Sequence, residues 1–163
     1  MTEWIESAGG PLIAIPIAHV GAWRGASSRA EGPSDYERAC EVNEYIGLLK
    51  HDGNDVLVLG DEPHRTCWIA RADGGLLVRW IYAESEADAL TAVGGISVEK
   101  MRDIGVRFSA RGPYRLMDAA DPGDDPAQGS VEMAVMPGRY RVLETFVDAD
   151  KSTRLLVHAV LLD

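Results

Sequence analysis

Four histidines, His19, His51, His64 and His158, are the first residues to weigh for metal or acid–base chemistry. No two stand at i, i+2 or i, i+4, the separations that bring two imidazoles to one face of a strand or helix. No metal site is therefore expected. The run Asp118-x-x-Asp121-x-x-Asp124-Asp125 is rich in carboxylates. A helix-loop-helix calcium loop needs oxygens at alternate positions and a closing glutamate, and this order differs, so the plain reading is a loop of solvated acids. Cys67 stands near His64, but a thiol–imidazole nucleophile needs spatial contact and a third, orienting group that nothing in the sequence supplies. There is no G-x-S-x-G elbow and no H-E-x-x-H. The pairs Gly9-Gly10 and Gly94-Gly95 do not continue into G-K-S/T and read as turns. No catalytic residue and no cofactor is expected.

The remaining signals suit binding. Trp23 and Arg24 lie in Gly21-Ala22-Trp23-Arg24-Gly25, a loop composition found at interface hot spots and, more often, in a tryptophan pinned onto its own domain. The net charge is −10 and is unevenly placed. Residues 31 to 62 carry Glu31, Asp35, Glu37, Glu41, Glu44, Asp52, Asp55, Asp61 and Glu62 against Arg38 and Lys50. Residues 118 to 132 carry Asp118, Asp121, Asp124, Asp125 and Glu132 with no base. Such a field repels nucleic acid and anionic membranes and attracts basic partners, while also serving plain solubility. The candidate contact residues are Asp61, Glu62, Asp118, Asp121, Asp124 and Asp125 in expected loops, with Trp23 and Arg24.

The elements that must carry these residues are mostly strands. With 163 residues, 46% hydrophobic and 26% charged, the chain fits one domain over 1–163 with a sizeable core. Leu12 to Ala18 is a β-branched run broken by Pro16, which favours an edge strand or a bulge. Residues 45–50 and 56–59 flank an Asp-Gly turn, and 65–71 and 76–82 flank Ala72-Asp73-Gly74-Gly75, giving two hairpins. Leu76, Val78, Trp80 and Tyr82 share one strand face, so Trp80 and Tyr82 are expected to be structural. Ala110 to Pro113 turns 106–109 into 114–117, and Pro137-Gly138 turns the strand of Val131, Met133 and Val135 into 139–147. The last strand, 153–162, is apolar on both faces and should lie centrally. Ser34-x-x-Glu37 and Ser85-x-x-Asp88 are capping signatures that start two short helices, and a helical turn is expected within 97–103. Segments 112–116 and 137–142 resemble each other weakly. The fold class is α+β, a mainly antiparallel sheet of successive hairpins with two or three short helices.

No basic stretch leads into an apolar run at the start, and no stretch nears the ~18 apolar residues of a membrane span, so the expected location is the cytoplasm. Cys40 and Cys67 read as small buried hydrophobes in a reducing compartment.

Trp4 with Ser7-Ala8-Gly9-Gly10-Pro11-Leu12-Ile13, then Trp23-Arg24-Gly25, Asp35-Tyr36-Glu37-Arg38-Ala39-Cys40, Val58-Leu59-Gly60-Asp61-Glu62-Pro63 and Val78-Arg79-Trp80 form an ordered set. In this set the chain resembles the immunity protein 21 family of bacterial polymorphic toxin systems, and Pro137-Gly138-Arg139-Tyr140 is compatible with it. The resemblance implies a cytosolic antidote that neutralises a cognate toxin domain by tight binding, with no catalytic residues to carry over. Were that toxin basic, as a nuclease would be, an acidic inhibitor suits it by charge complementarity. The shared Trp4, Trp23, Tyr36, Arg38 and Trp80 serve either the fold or the partner. Two alternatives stay open: a small-molecule-binding or scaffold β-domain, and an enzyme whose site carries no motif.

Overall fold

The computed structural model describes residues 1–27, 31–60 and 64–163. Two antiparallel sheets face each other. The strands are β1 (Trp4–Ile5), β2 (Leu12–Pro16), β3 (Gly47–His51), β4 (Asn54–Leu59), β5 (Thr66–Arg71), β6 (Gly74–Tyr82), β7 (Arg102–Ala110), β8 (Tyr114–Asp118), β9 (Ser130–Met133), β10 (Gly138–Ala149) and β11 (Thr153–Leu162). One sheet runs β1-β5-β6-β11-β10-β7 and the other β3-β4-β2-β8-β9. The helices are α1 (Asp35–Cys40) and α2 (Glu86–Gly94), with 3-10 turns at Ile17–Ala22 and Val98–Lys100. This is an α+β fold dominated by antiparallel sheet. No helix among the described residues is long and apolar enough to cross a membrane.

Period-two alternation divides the six-stranded sheet into two buried faces. Trp68, Leu77, Val142 and Val160 point inward, towards the face of the other sheet that carries Ala14, Leu57 and Leu116. Cys67, Leu76, Val78, Leu155, Val157, Ala159 and Leu161 point outward and are covered by Ala89 and Val93 of α2 and by Met101. Strand β11 lies between β6 and β10 with cover on both sides, which is why both its faces are apolar from Leu155 on, apart from the buried His158.

Local signals position several elements as expected. Ser34 accepts from Glu37 N, and the Glu37 carboxylate accepts from Ser34 N, closing a capping box at the start of α1. Ser85 caps α2 through Asp88 N. Asp52 and Gly53, at φ 49° and 80°, form the two-residue turn between β3 and β4, where both positions need the left-handed region.

Other expectations need correction. Residues 102–110 and 114–118 do not form a hairpin: β7 pairs with β10, and β8 pairs with β2 and β9. The chain changes sheet at 111–113 and again between β9 and β10, so two local turns are crossings between layers. The similar segments 112–116 and 137–142 therefore end up in opposite sheets. Strand β2 is central, not an edge. Pro16 extends past the last β4 pair, Ala14 with Leu57, so its missing N–H removes no bond from that ladder.

Trp80 packs as expected, edge-on to Trp4 at 5.3 Å between ring centroids and beneath the Arg65 guanidinium. Tyr82 does not, being 47% exposed. Helix α2 packs mainly on β11 and β10 and not on the end of β6. Cys40 is exposed and only Cys67 is buried. Burial pushes the Cys67 thiol up to about 12, which makes it unreactive as a nucleophile.

Candidate partner-binding surface

Trp23 follows the 3-10 turn that leaves β2, and it is buried to 1%. Its indole Nε1–H donates to Ala119 O at 3.0 Å, and its own carbonyl accepts from Gly123 N at 2.9 Å. Ala26 N donates to Ala120 O. The two loops approach so closely that a Cβ on Gly25 would stand 2.3 Å from Ala120 O, and one on Gly123 2.0 Å from Val20 O. Glycine at these positions is what lets two backbones separated by about a hundred residues of sequence pack together.

Asp118 ends β8 and is 1% exposed. Its Oδ2 accepts from Ala8 N at 2.7 Å and its Oδ1 from Ala120 N at 2.8 Å. The expectation of an exposed Asp118 is thus corrected, while Trp23 takes the pinned one of its two readings: both hold the loops from inside. The carboxylate stays buried because two backbone N–H groups satisfy it. Asp121 is half-buried and accepts from Gln128 N. Asp124, Asp125 and Arg24 are exposed. Arg24 and Asp124 border a shallow depression of about 300 Å³, floored by Gly21, Trp23 and Pro122. The fold therefore gathers Arg24 and the 121–125 acids, candidates from two distant stretches, onto one platform. Asp61 and Glu62 lie outside the described residues.

Beneath the platform runs a polar chain that spacing in the sequence did not reveal. Asp35, in the first turn of α1, is fully buried. Its Oδ2 accepts from Arg24 N at 2.8 Å and its Oδ1 from His51 Nε2 at 3.0 Å. His51, at the end of β3, stacks obliquely on Trp23 with ring centroids 5.1 Å apart. Its Nδ1 stands 2.9 Å from His19 Nε2, on the 3-10 turn after β2. The only advance signals were the capping box that places Asp35 and the Asp-Gly turn that places His51.

A second recess lies where the sandwich opens between the free edges of β3 and β7. Its volume is about 660 Å³, and Tyr45, Leu48, Arg102, Ile104, Val106 and Glu144 line it. Glu144 Oε1 accepts from Arg102 at 2.7 Å, and Oε2 bonds His158 Nε2 at 2.9 Å. The bonds from His158 and Arg102 hold the Glu144 carboxyl below its ordinary value. Burial pushes the His158 imidazole below its own, despite the opposing bond to Glu144. His158 has no exposed surface. A base sealed in this way cannot reach a substrate proton, so the pair reads as structural. Arg79, also buried, donates to Tyr45 O and Gly60 O, tying the recess wall to the six-stranded sheet.

Neither the curated proteins nor the solved structures hold a match to this chain. A family model does match it. The residues from 3 to 153 fit the family described as Immunity protein 21, a span that includes the loop platform, its buried anchors and the open-edge recess, and the chain belongs to that family.

Proposed function

We propose that this protein is a cytoplasmic antidote that binds and neutralises a cognate toxin domain, and that the platform of Asp121, Asp124, Asp125 and Arg24 meets the toxin. The observation that carries the reading is family membership over residues 3–153. An immunity protein acts by occupying its target and needs no catalytic group of its own. The buried Cys67 thiol and the sealed His158 agree with that.

Three features favour the platform. Asp124 and Asp125 are exposed on a loop whose base is pinned by Trp23, Asp118 and two close-packed glycines. Pre-organised carboxylates lose little entropy on binding. Their charge, with the overall −10, favours a basic toxin over nucleic acid or an anionic membrane. Asp61 and Glu62 remain the second acidic candidate. Co-expression with the C-terminal domain of a neighbouring toxin should restore growth, and loss of rescue at equal expression of both proteins would refute the antidote reading.

A further inference from the structure

We propose that His19, His51 and Asp52 bind a divalent transition metal ion of the zinc class. The donor atoms come from two elements. His19 Nε2 lies on the 3-10 turn after β2, while His51 Nδ1 and Asp52 Oδ2 lie at the turn between β3 and β4. The two nitrogens are 2.9 Å apart, and Asp52 Oδ2 is 4.0 Å from each. All three ligand atoms fall within 4.8 Å of one another. Two nitrogens about 2.1 Å from one tetrahedral zinc are separated by roughly 3.4 Å, so the imidazoles need to part by only about half an ångström. The carboxylate has to move in by a similar amount. Asp52 is free to do so, being 68% exposed on a two-residue turn.

The proton inventory also fits. Asp35 is buried and offers His51 Nε2 a carboxylate oxygen, so the proton sits on Nε2 and the Nδ1 lone pair points at His19. That is the carboxylate–imidazole arrangement that orients metal-binding histidines. His19 must then carry its own proton on Nε2 to bond His51, and it needs only to shift that proton to Nδ1 to become a ligand. The imidazole and carboxylate donors match zinc, cobalt or nickel better than calcium or magnesium. His19 is partly exposed, at 17% of its side chain, so the remaining coordination position opens to solvent. An ion here would clamp the β3–β4 turn to the segment leading into Trp23, whose ring lies on His51.

The test uses the untagged full chain, stripped of metal, titrated with zinc by calorimetry and with cobalt by visible absorption. One equivalent should bind, cobalt should show the intense ligand-field bands of a four- or five-coordinate site, and zinc should raise the melting temperature. His19→Gln should weaken binding at least tenfold. Asp52→Asn, which tolerates the left-handed backbone, should weaken it several-fold. Circular dichroism confirms that each variant is folded. Absence of one-equivalent binding by the parent overturns the proposal, and so does undiminished binding by both folded variants.

Discussion

The loop platform and the open-edge recess both carry acids, but they treat them differently. In and around the recess three carboxylates each have an arginine, while Glu44 on its wall is exposed and in no ion pair among the described residues. Glu144 meets Arg102, Asp103 meets Arg107, and Asp148 meets Arg154, at 2.7 to 2.8 Å. On the platform Asp118 is satisfied by backbone N–H groups inside the fold, and no ion pair among the described residues reaches Asp124 or Asp125. The three paired recess acids are thus neutralised locally, whereas the platform projects its charge into solvent. An acid held by its own arginine contributes little long-range field, and a surface that recruits a basic partner needs the other kind. The recess offers instead an aromatic rim, Tyr45 edge-on to Phe146 at 5.8 Å with Arg154 over the Phe146 ring.

The largest effect should come from the platform's anchor. Trp23→Ala removes a fully buried indole and its bond to Ala119, and it should cost ~3–5 kcal/mol through lost burial and the cavity left behind. Chemical denaturation measures it, and a midpoint equal to the parent's would mean that the ring does not anchor the loops. Asp118→Ala should cost ~1–3 kcal/mol by stranding the Ala8 and Ala120 N–H groups. An Asp118→Ala protein that kept parental stability and lost toxin binding would move Asp118 back to the interface.

Acid should strike the recess side. His158 has a folded value below its ordinary 6.5, so the unfolded chain takes up that proton first. The stability contribution is complete above 6.5 and is lost as pH falls below it towards the folded value. Glu144, held below its ordinary 4.5, contributes stability that is present above 4.5 and lost as pH falls through its lower folded value. Denaturation midpoints should therefore decline below pH 6.5, with a shallower decline in His158→Gln. Parallel curves for the two proteins would remove His158 from the account. The smallest stability change should follow from the rim. Replacing both Tyr45 and Phe146 with alanine gives up an exposed aromatic pair worth ~0.5–1.5 kcal/mol and should leave toxin affinity unchanged. A large loss of affinity would make the recess the interface.

Much of this architecture was legible because its signals are local. The serine caps, the Asp-Gly turn and the doubly apolar β11 each announce themselves within ten residues. The rest depends on contacts between distant segments. Nothing in Ala110–Pro113 states that the chain there leaves one sheet for the other, since a turn and a crossing use the same residues. Trp23 in its glycine-flanked loop reads as a pinned ring before an exposed anchor, but what pins it is Ala119, 96 residues away, which accepts its N–H. Asp118 looks like its neighbours Asp121 and Asp124, and only the closure of the N-terminal segment over β8 buries it. His19 and His51, 32 residues apart, meet because a 3-10 turn and a hairpin tip fold to the same place.

The central claim is that the toxin meets the unneutralised platform acids. Association kinetics of the Asp124→Asn/Asp125→Asn protein with the toxin domain, at low and high salt, test it most directly. Because salt screens charge over ~8–10 Å, the account predicts a slower on-rate at low salt and convergence with the parent at high salt, with melting curves unchanged. Identical low-salt on-rates in a folded variant would contradict it.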